Sequence, residues 1–263
     1  MTDKLNEQLF IQRIEELADR SSERFSPEFT HFLDAASLRK ACVYVNSCNH
    51  DVFAVVYGGF CDAERCVLGF FPKDVYCFDG FDINELYSMF EVSGIVIESS
   101  GFGTFSHRDV MGSVLGLGIK REAMGDIYVT EDGCKAYICL TNVAAQYVCD
   151  NLEFVSRDKV KCKVINPSDL PVPERKFAVI SGTVASDRLD CLVSLATKVS
   201  REKAKQLITS GFVSLNHEEE LRCDIKAEQG DVLSVRGFGR FKIAEYGDVT
   251  RKGRNRVVVH KMI

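Results

Sequence analysis

The chain has 263 residues, of which 46% are apolar and 27% charged, with a formal net charge of -5. At roughly 150 residues per domain that length predicts about two domains with cores of their own, and it excludes a small disulfide-stapled scaffold, a mainly disordered chain and a coiled-coil filament. Apolar runs such as residues 52–60 and 92–97 fall far short of the roughly 18 residues a membrane helix needs, and residues 1–10 lack a signal-peptide layout, so a cytoplasmic protein without membrane contact is expected.

Leu5, Leu9, Phe10, Ile14 and Leu17 recur at helical spacing and predict an amphipathic helix over residues 3–20. A second helix is expected over residues 34–46. Residues 52–57 and 65–71 then read as two buried strands separated by Gly58, Gly59 and a polar turn. Together these form a small α/β unit, residues 1–80, with no readable site.

From Glu91 the order becomes regular: strand 92–98, helix 108–117, strand 126–131, strand 134–140, helix 143–152 and strand 155–165. Asp132-Gly133 between two strand-like runs is a strong hairpin signal. The order βαββαβ is that of the ferredoxin-like fold, expected here over residues 81–165; many RNA-binding modules share it, as do many unrelated activities. The aromatic RNP1 pattern of true RRM domains is missing from these strands.

His107-Arg108-Asp109 resembles the catalytic loop of protein kinases, but Val114 stands where that pattern needs a magnesium-binding Asn, and Asp-Phe-Gly and Gly-x-Gly-x-x-Gly are both absent. What remains is a His-Arg pair at a helix start, with Asp109 near the positive end of the helix dipole. A structural cap and a secondary contact to RNA phosphate are both open readings of it.

Pro167, Pro171 and Pro173 interrupt a polar stretch and predict an extended linker, residues 166–180. Charge changes sign there. Residues 1–156 hold 12 Lys+Arg against 24 Asp+Glu, residues 157–180 hold 6 against 3, and residues 181–263 hold 15 against 11. Only the C-terminal part favours a polyanion, although uneven charge also serves solubility alone. The 11 cysteines include no Cys-x-x-Cys pair and their number is odd; reduced structural thiols and no metal site are expected.

Residues 187–216 read as helix, turn, helix, turn, strand. Leu189, Leu192, Val193 and Ala196 mark one buried stripe, Ala204, Leu207 and Ile208 another, with Ser200 as N-cap and Gly211 as terminator. Arg201 and Lys205, four residues apart, share one exposed face while Lys203 points elsewhere. Two stacked cations repel each other unless an anion faces them, and a phosphate backbone would supply it. Downstream, residues 231–236 and 240–243 alternate as strands around Gly237-Phe238-Gly239. Arg236-Gly237-Phe238-Gly239 resembles the start of RNP1, but Arg240 stands where that motif needs an aromatic. The stretch reads as a hairpin edge, either solvated or with Arg236, Arg240 and Lys242 open to phosphate.

Arg188-Leu189-Asp190, Ser200-Arg201, Ala204, Leu207-Ile208, Gly211, Val213, Asn216 and Gly230-Asp231 resemble the S4 RNA-binding domain. The resemblance implies an S4 domain with C-terminal strands over residues 181–263 and an RNA-binding surface carrying Arg188, Lys198, Arg201 and Lys205. One departure stands out: His217 and three glutamates follow Asn216 where the family has a tight Asn-Gly turn. Phe105-Ser106-His107-Arg108-Asp109, residues 115–122 from Leu115 to Lys120-Arg121-Glu122, Gly125-Asp126-Ile127, residues 236–240 and Thr250 to Arg254 resemble the bacterial YlmH family over nearly the whole chain.

Taken together these resemblances imply an α+β protein without catalytic residues or cofactors. It would be a monomer that binds rRNA or tRNA and the large (50S) ribosomal subunit, in ribosome-associated quality control of stalled nascent chains. His107, Arg108, Lys120 and Arg121 are candidates for a secondary RNA contact. The competing expectation is an RNA-modifying enzyme, since S4 domains are fused to pseudouridine synthases whose catalytic Asp follows Gly-Arg-Leu. Here Asp187 precedes Arg188-Leu189-Asp190, so Asp190 is expected to cap or orient Arg188 instead.

Overall fold

The computed structural model describes residues 2–47, 51–76, 82–101, 103–172, 177–250 and 253–262. The chain divides into two compact units, Met1–Pro173 and Glu174–Ile263.

The first unit begins with helix α1 (Thr2–Arg24), strand β1 (Glu28–Phe29), helix α2 (Ala35–Ser47) and strands β2 (Val52–Tyr57) and β3 (Val67–Pro72). The strands form an antiparallel sheet in the order β1-β3-β2. Every residue of β3 is buried, which is why its sequence is continuously apolar rather than alternating. Ile14, Leu17 and Ala18 of α1 and Ala41 and Val45 of α2 pack with Leu68 and Phe70.

Helix α3 (Ile83–Ser88), strand β4 (Val92–Ser99), helix α4 (His107–Gly116), strands β5 (Met124–Val129) and β6 (Lys135–Thr141), helix α5 (Asn142–Asn151) and strands β7 (Phe154–Val155) and β8 (Asp158–Ile165) complete the unit. Their sheet has the order β5-β6-β4-β8-β7, antiparallel throughout. Ile95, Ile97, Ala136, Ile138 and Leu140 point to one side and pack against Val110 and Val114 of α4 and Ala144, Ala145 and Val148 of α5. On the other side, Val92 and Cys139 join a core that also holds Phe32, Val55, Phe71 and Phe90. The expected units 1–80 and 81–165 therefore share one core, a long-range contact invisible to local periodicity.

The expected linker needs shortening. Pro167–Asp169 is a 3-10 turn capped by the Asn166 side chain, and Leu170 is buried in the shared core. Strand β9 (Phe177–Val184) begins three residues before the expected linker ends. The prolines excluded α-helix here, as their missing donors require, without excluding a capped turn or a packed leucine.

The second unit continues with helices α6 (Leu189–Thr197) and α7 (Arg201–Thr209) and strands β10 (Val213–Leu215), β11 (Glu218–Glu219), β12 (Val232–Val235), β13 (Gly239–Val249) and β14 (Asn255–Met262). One antiparallel sheet runs β11-β10-β12-β13-β14-β9. The buried stripes of α6 and α7 pack on Leu233, Val235, Phe241, Ile243, Val257 and Val259. Strand β13 lies between β12 and β14, so Arg240 and Lys242 are not on a sheet edge as expected. The strand that covers that side, β14, lies beyond the residues whose alternation was read.

Candidate nucleic-acid interface

Helix α6 begins at Leu189 because its preceding backbone is held from outside. The Leu189 N–H donates to the Ile225 carbonyl at 2.8 Å and the Asp190 N–H to that of Cys223 at 3.2 Å. Arg188 and Lys226 form an isolated antiparallel bridge, and Lys226 pairs with Asp187 at 3.1 Å. Asp190 on the first turn is fully buried, yet one carboxylate oxygen accepts from Arg188 Nε at 3.2 Å and the other from Arg201 Nε at 2.9 Å. Burial pushes the Asp190 carboxyl up, and the hydrogen bonds and charges of Arg201 and Arg188 outweigh it, leaving its pKa below the ordinary value. Asp190 orients Arg188, one of the two expected roles, and it is also the anion that Arg201 faces, a part that sequence spacing alone assigns to a phosphate backbone.

Helix α7 starts at the Ser200 cap, whose Oγ accepts from the Lys203 N–H at 3.2 Å. It ends at Gly211, where φ is +72°, a left-handed conformation that glycine adopts without strain. Arg201 and Lys203 are exposed and Lys205 is half-buried. Lys198, in the turn between the helices, is exposed with φ of 59°. Arg188 and Arg201 are thus held together on Asp190, Lys205 lies one turn along α7 from Arg201, and Lys198 caps the far end of α6; Lys226 beside Arg188 is a further cation that sequence spacing alone did not single out.

Asn216 and His217 both have positive φ, 51° and 71°, and join β10 to β11 as a two-residue turn. Asn216 Nδ2 donates to Asp231 at 2.8 Å and its Oδ1 accepts from the Val232 N–H at 2.9 Å. Of the acidic run that follows, Glu220 is bound by Arg222 through two bonds of 3.0 and 3.1 Å. Arg236 is exposed, its guanidinium 5.5 Å from the centre of the Phe212 ring. Arg240 and Lys242 are exposed and point away from Phe241 and Ile243, which face the core. Arg251 and Lys252 lie outside the described residues.

In the first unit Ser106 and Asp109 form a capping box at the start of α4: Ser106 Oγ accepts from the Asp109 N–H and Asp109 accepts from the Ser106 N–H at 2.8 Å. The cap reading of this motif therefore has its geometry. Arg108 and Lys120 are exposed. His107 is partly desolvated, which with the Arg121 charge lowers its pKa against the pull of Asp126. Arg121 is half-buried and donates to the Gly125 carbonyl at 3.3 Å. Among the described residues no three His, Cys, Asp or Glu side chains gather as a metal site, and no helix is long and apolar enough to cross a membrane.

Residues 6–75 match the family described as "YlmH, N-terminal", and residues 88–169 match that described as "Putative RNA-binding domain in YlmH". The chain belongs to the YlmH family. The first YlmH segment spans the three-stranded sheet with α1 and α2, and the second spans the five-stranded sheet with α4 and α5. A curated YlmH-type relative, the "Ribosome-associated protein quality control protein P2" of Bacillus subtilis, is 27% identical over 97% of this chain and 95% of its own length. The solved structure titled "Cell division protein ylmH from Streptococcus pneumoniae" is 19% identical, with a TM-score of 0.49 over 61% of this chain and 91% of that one.

Proposed function

We propose that this YlmH-family chain is a non-catalytic RNA-binding protein that engages the ribosome during quality control of stalled nascent chains, with the α6–α7 surface of the second unit touching rRNA or tRNA on the large subunit. The carrying observation is the arrangement of Arg188 and Arg201 on a single buried carboxylate at the start of two adjoining helices. A fixed pair of guanidinium groups suits phosphate oxygens, because their planar donors are positioned before the ligand arrives. The second unit carries 17 Lys+Arg against 12 Asp+Glu, so its field favours a polyanion as well.

The finer architecture belongs to the same proposal. The strand order of the five-stranded sheet supports a ferredoxin-like reading of the βαββαβ run, and the α6–α7 pair with β10 supports an S4 reading of the second unit. The protein acts as a cytoplasmic monomer in this reading. Sedimentation with purified ribosomal subunits at two salt concentrations tests it. Binding to the large subunit that weakens with salt and with Arg188→Ala/Arg201→Ala is expected, whereas binding insensitive to both would overturn it. A new modified nucleoside in rRNA incubated with the pure protein would favour an enzyme instead.

A further inference from the structure

Lys159, Lys161 and Lys163 occupy alternate positions of β8. Val160, Cys162 and Val164 between them pack toward α4 and α5, so the three lysines point to the opposite side of the five-stranded sheet. All three are exposed, and among the described residues none has an ion-pair partner. Consecutive lysines in such a row stand about 6.8 Å apart along the strand.

Strand register extends this row into a surface. Lys161 lies opposite Glu98 on β4, and Glu98 opposite Lys135 on β6. One step along, Lys163 lies opposite Val96, Val96 opposite Tyr137, and Tyr137 opposite Tyr128 on β5. The two tyrosine rings are 6.3 Å apart and inclined by 25°; both are half-buried and pack against the edge of the shared core, leaving part of each ring exposed beside Val96. Glu98, the acid within these rows, is bridged to Lys135 at 2.6 Å. The Lys135 hydrogen bond, with the charges of Lys135, Lys161 and Lys163, holds the Glu98 carboxyl below its ordinary value against slight burial. Lys135, Lys161 and Lys163 thus act on one ion-paired carboxylate, with Lys159 next along the β8 row, on the half of the sheet away from the buried Val92, Cys139 and Leu170.

We propose that this open half-sheet is a second RNA-binding surface, with Lys159, Lys161 and Lys163 contacting successive phosphates of one strand and the Val96–Tyr137–Tyr128 row receiving an unpaired base. An acidic protein would be served by the lysines alone, whereas a flat row ending in tyrosines suits the face of a base. The segment lies within residues 88–169, whose family description names RNA binding. Charge counted along the chain groups β8 with the cationic C-terminal part, yet the strand belongs to the otherwise acidic first unit. The inference rests on the chain being an RNA-binding protein and adds a site remote in sequence from the α6–α7 cluster.

The test uses the full chain and a fluorescent RNA hairpin with or without an unpaired 3′ tail, its dissociation constant read across a salt series. Lys159→Gln/Lys161→Gln/Lys163→Gln is expected to flatten the slope of log K against log salt by about 2, three single-strand contacts at roughly 0.7 each. The matching triple arginine variant should restore the slope, and Tyr137→Leu should reduce the preference for the tailed hairpin while leaving the slope unchanged. An unaltered slope in the glutamine variant, with Arg188→Ala/Arg201→Ala still weakening binding, would overturn this surface and spare the α6–α7 one. Unchanged RNA binding together with lost sedimentation on ribosomal subunits would overturn it in favour of a protein partner. If neither variant changed RNA binding, the broader RNA-binding proposal would fall too.

Discussion

Arg201 Nε lies 2.9 Å from Asp190 Oδ2, which joins the first residue of α7 to a carboxylate without solvent exposure on the first turn of α6. Arg188 holds the other oxygen. One buried anion therefore sets the direction of two partly exposed cations, and stability and RNA affinity should be coupled through it. Asp190→Asn is expected to lower the unfolding free energy of the second unit by about 2 kcal/mol, the scale of hydrogen bonds to a charged group, and to weaken RNA binding. Urea denaturation followed by circular dichroism, with a binding titration on the same samples, checks both.

The same carboxylate gives a dependence on pH. Its pKa is lower folded than unfolded, so the stability it contributes is complete above the unfolded value of about 3.9 and disappears as pH falls through the folded value. Wild-type protein should lose stability below about pH 4 more steeply than Asp190→Asn. Parallel melting curves at pH 3 to 6 measure the difference, and equal slopes would remove the ion pair from the explanation.

Lys205 and Arg201 should differ as RNA contacts. Lys205→Ala is expected to flatten the slope of log K against log salt by roughly 0.7 to 0.9, the value for one phosphate neutralised. Arg201→Ala should change it less, since Asp190 already offsets part of that charge. A salt titration of the two single variants would reveal the order.

The Asn216-His217 turn offers a test on stability alone. Both residues are in the left-handed region, and a residue with a Cβ loses roughly 1 kcal/mol there relative to glycine. His217→Gly should raise the melting temperature of the second unit. Asn216→Ala should lower it, because the bonds to Asp231 and to the Val232 N–H disappear. The departure from Asn-Gly is thus a substitution within a turn that keeps its two-residue form.

Arg65 should matter more than its place in a loop suggests. Its guanidinium donates to the carbonyls of Met124 at 2.9 Å, Phe32 at 3.0 Å and Arg121 at 2.9 Å, joining the segment before β3 to both ends of the turn that leads into β5. Arg65→Ala is expected to cost the first unit about 3 kcal/mol, because three carbonyls lose a charged donor. Thermal unfolding read at 222 nm checks it, and a loss within experimental scatter would show that water replaces the guanidinium.

Local patterns carried the helices and most of the strands. The periodicity of Leu5 to Leu17, the Asp132-Gly133 hairpin, the Ser200 cap and the Gly211 stop each depend on residues within a turn or two of one another, and the structure has an element at each. The short helix α3 escaped, since six residues hold less than two full turns of pattern. Strand β14 and its eight paired positions with β9 escaped because a partner nearly 80 residues away leaves no trace in local spacing. Among site residues, Arg188 and Arg201 were legible as cations in an ordered motif. Their common anchor needed three-dimensional contact between the starts of two helices.

By itself the sequence determined most of the helices and strands, where the charge changes sign, and which family the ordered residues of both halves resemble, because propensity, capping and composition act over short distances. The tertiary structure alone decided that two expected domains share one core, that Arg201 faces Asp190, and that three lysines of an acidic half stand in one open row. Those facts depend on strand order and on packing between distant segments, where a one-residue change of register would turn every lysine of β8 into the core.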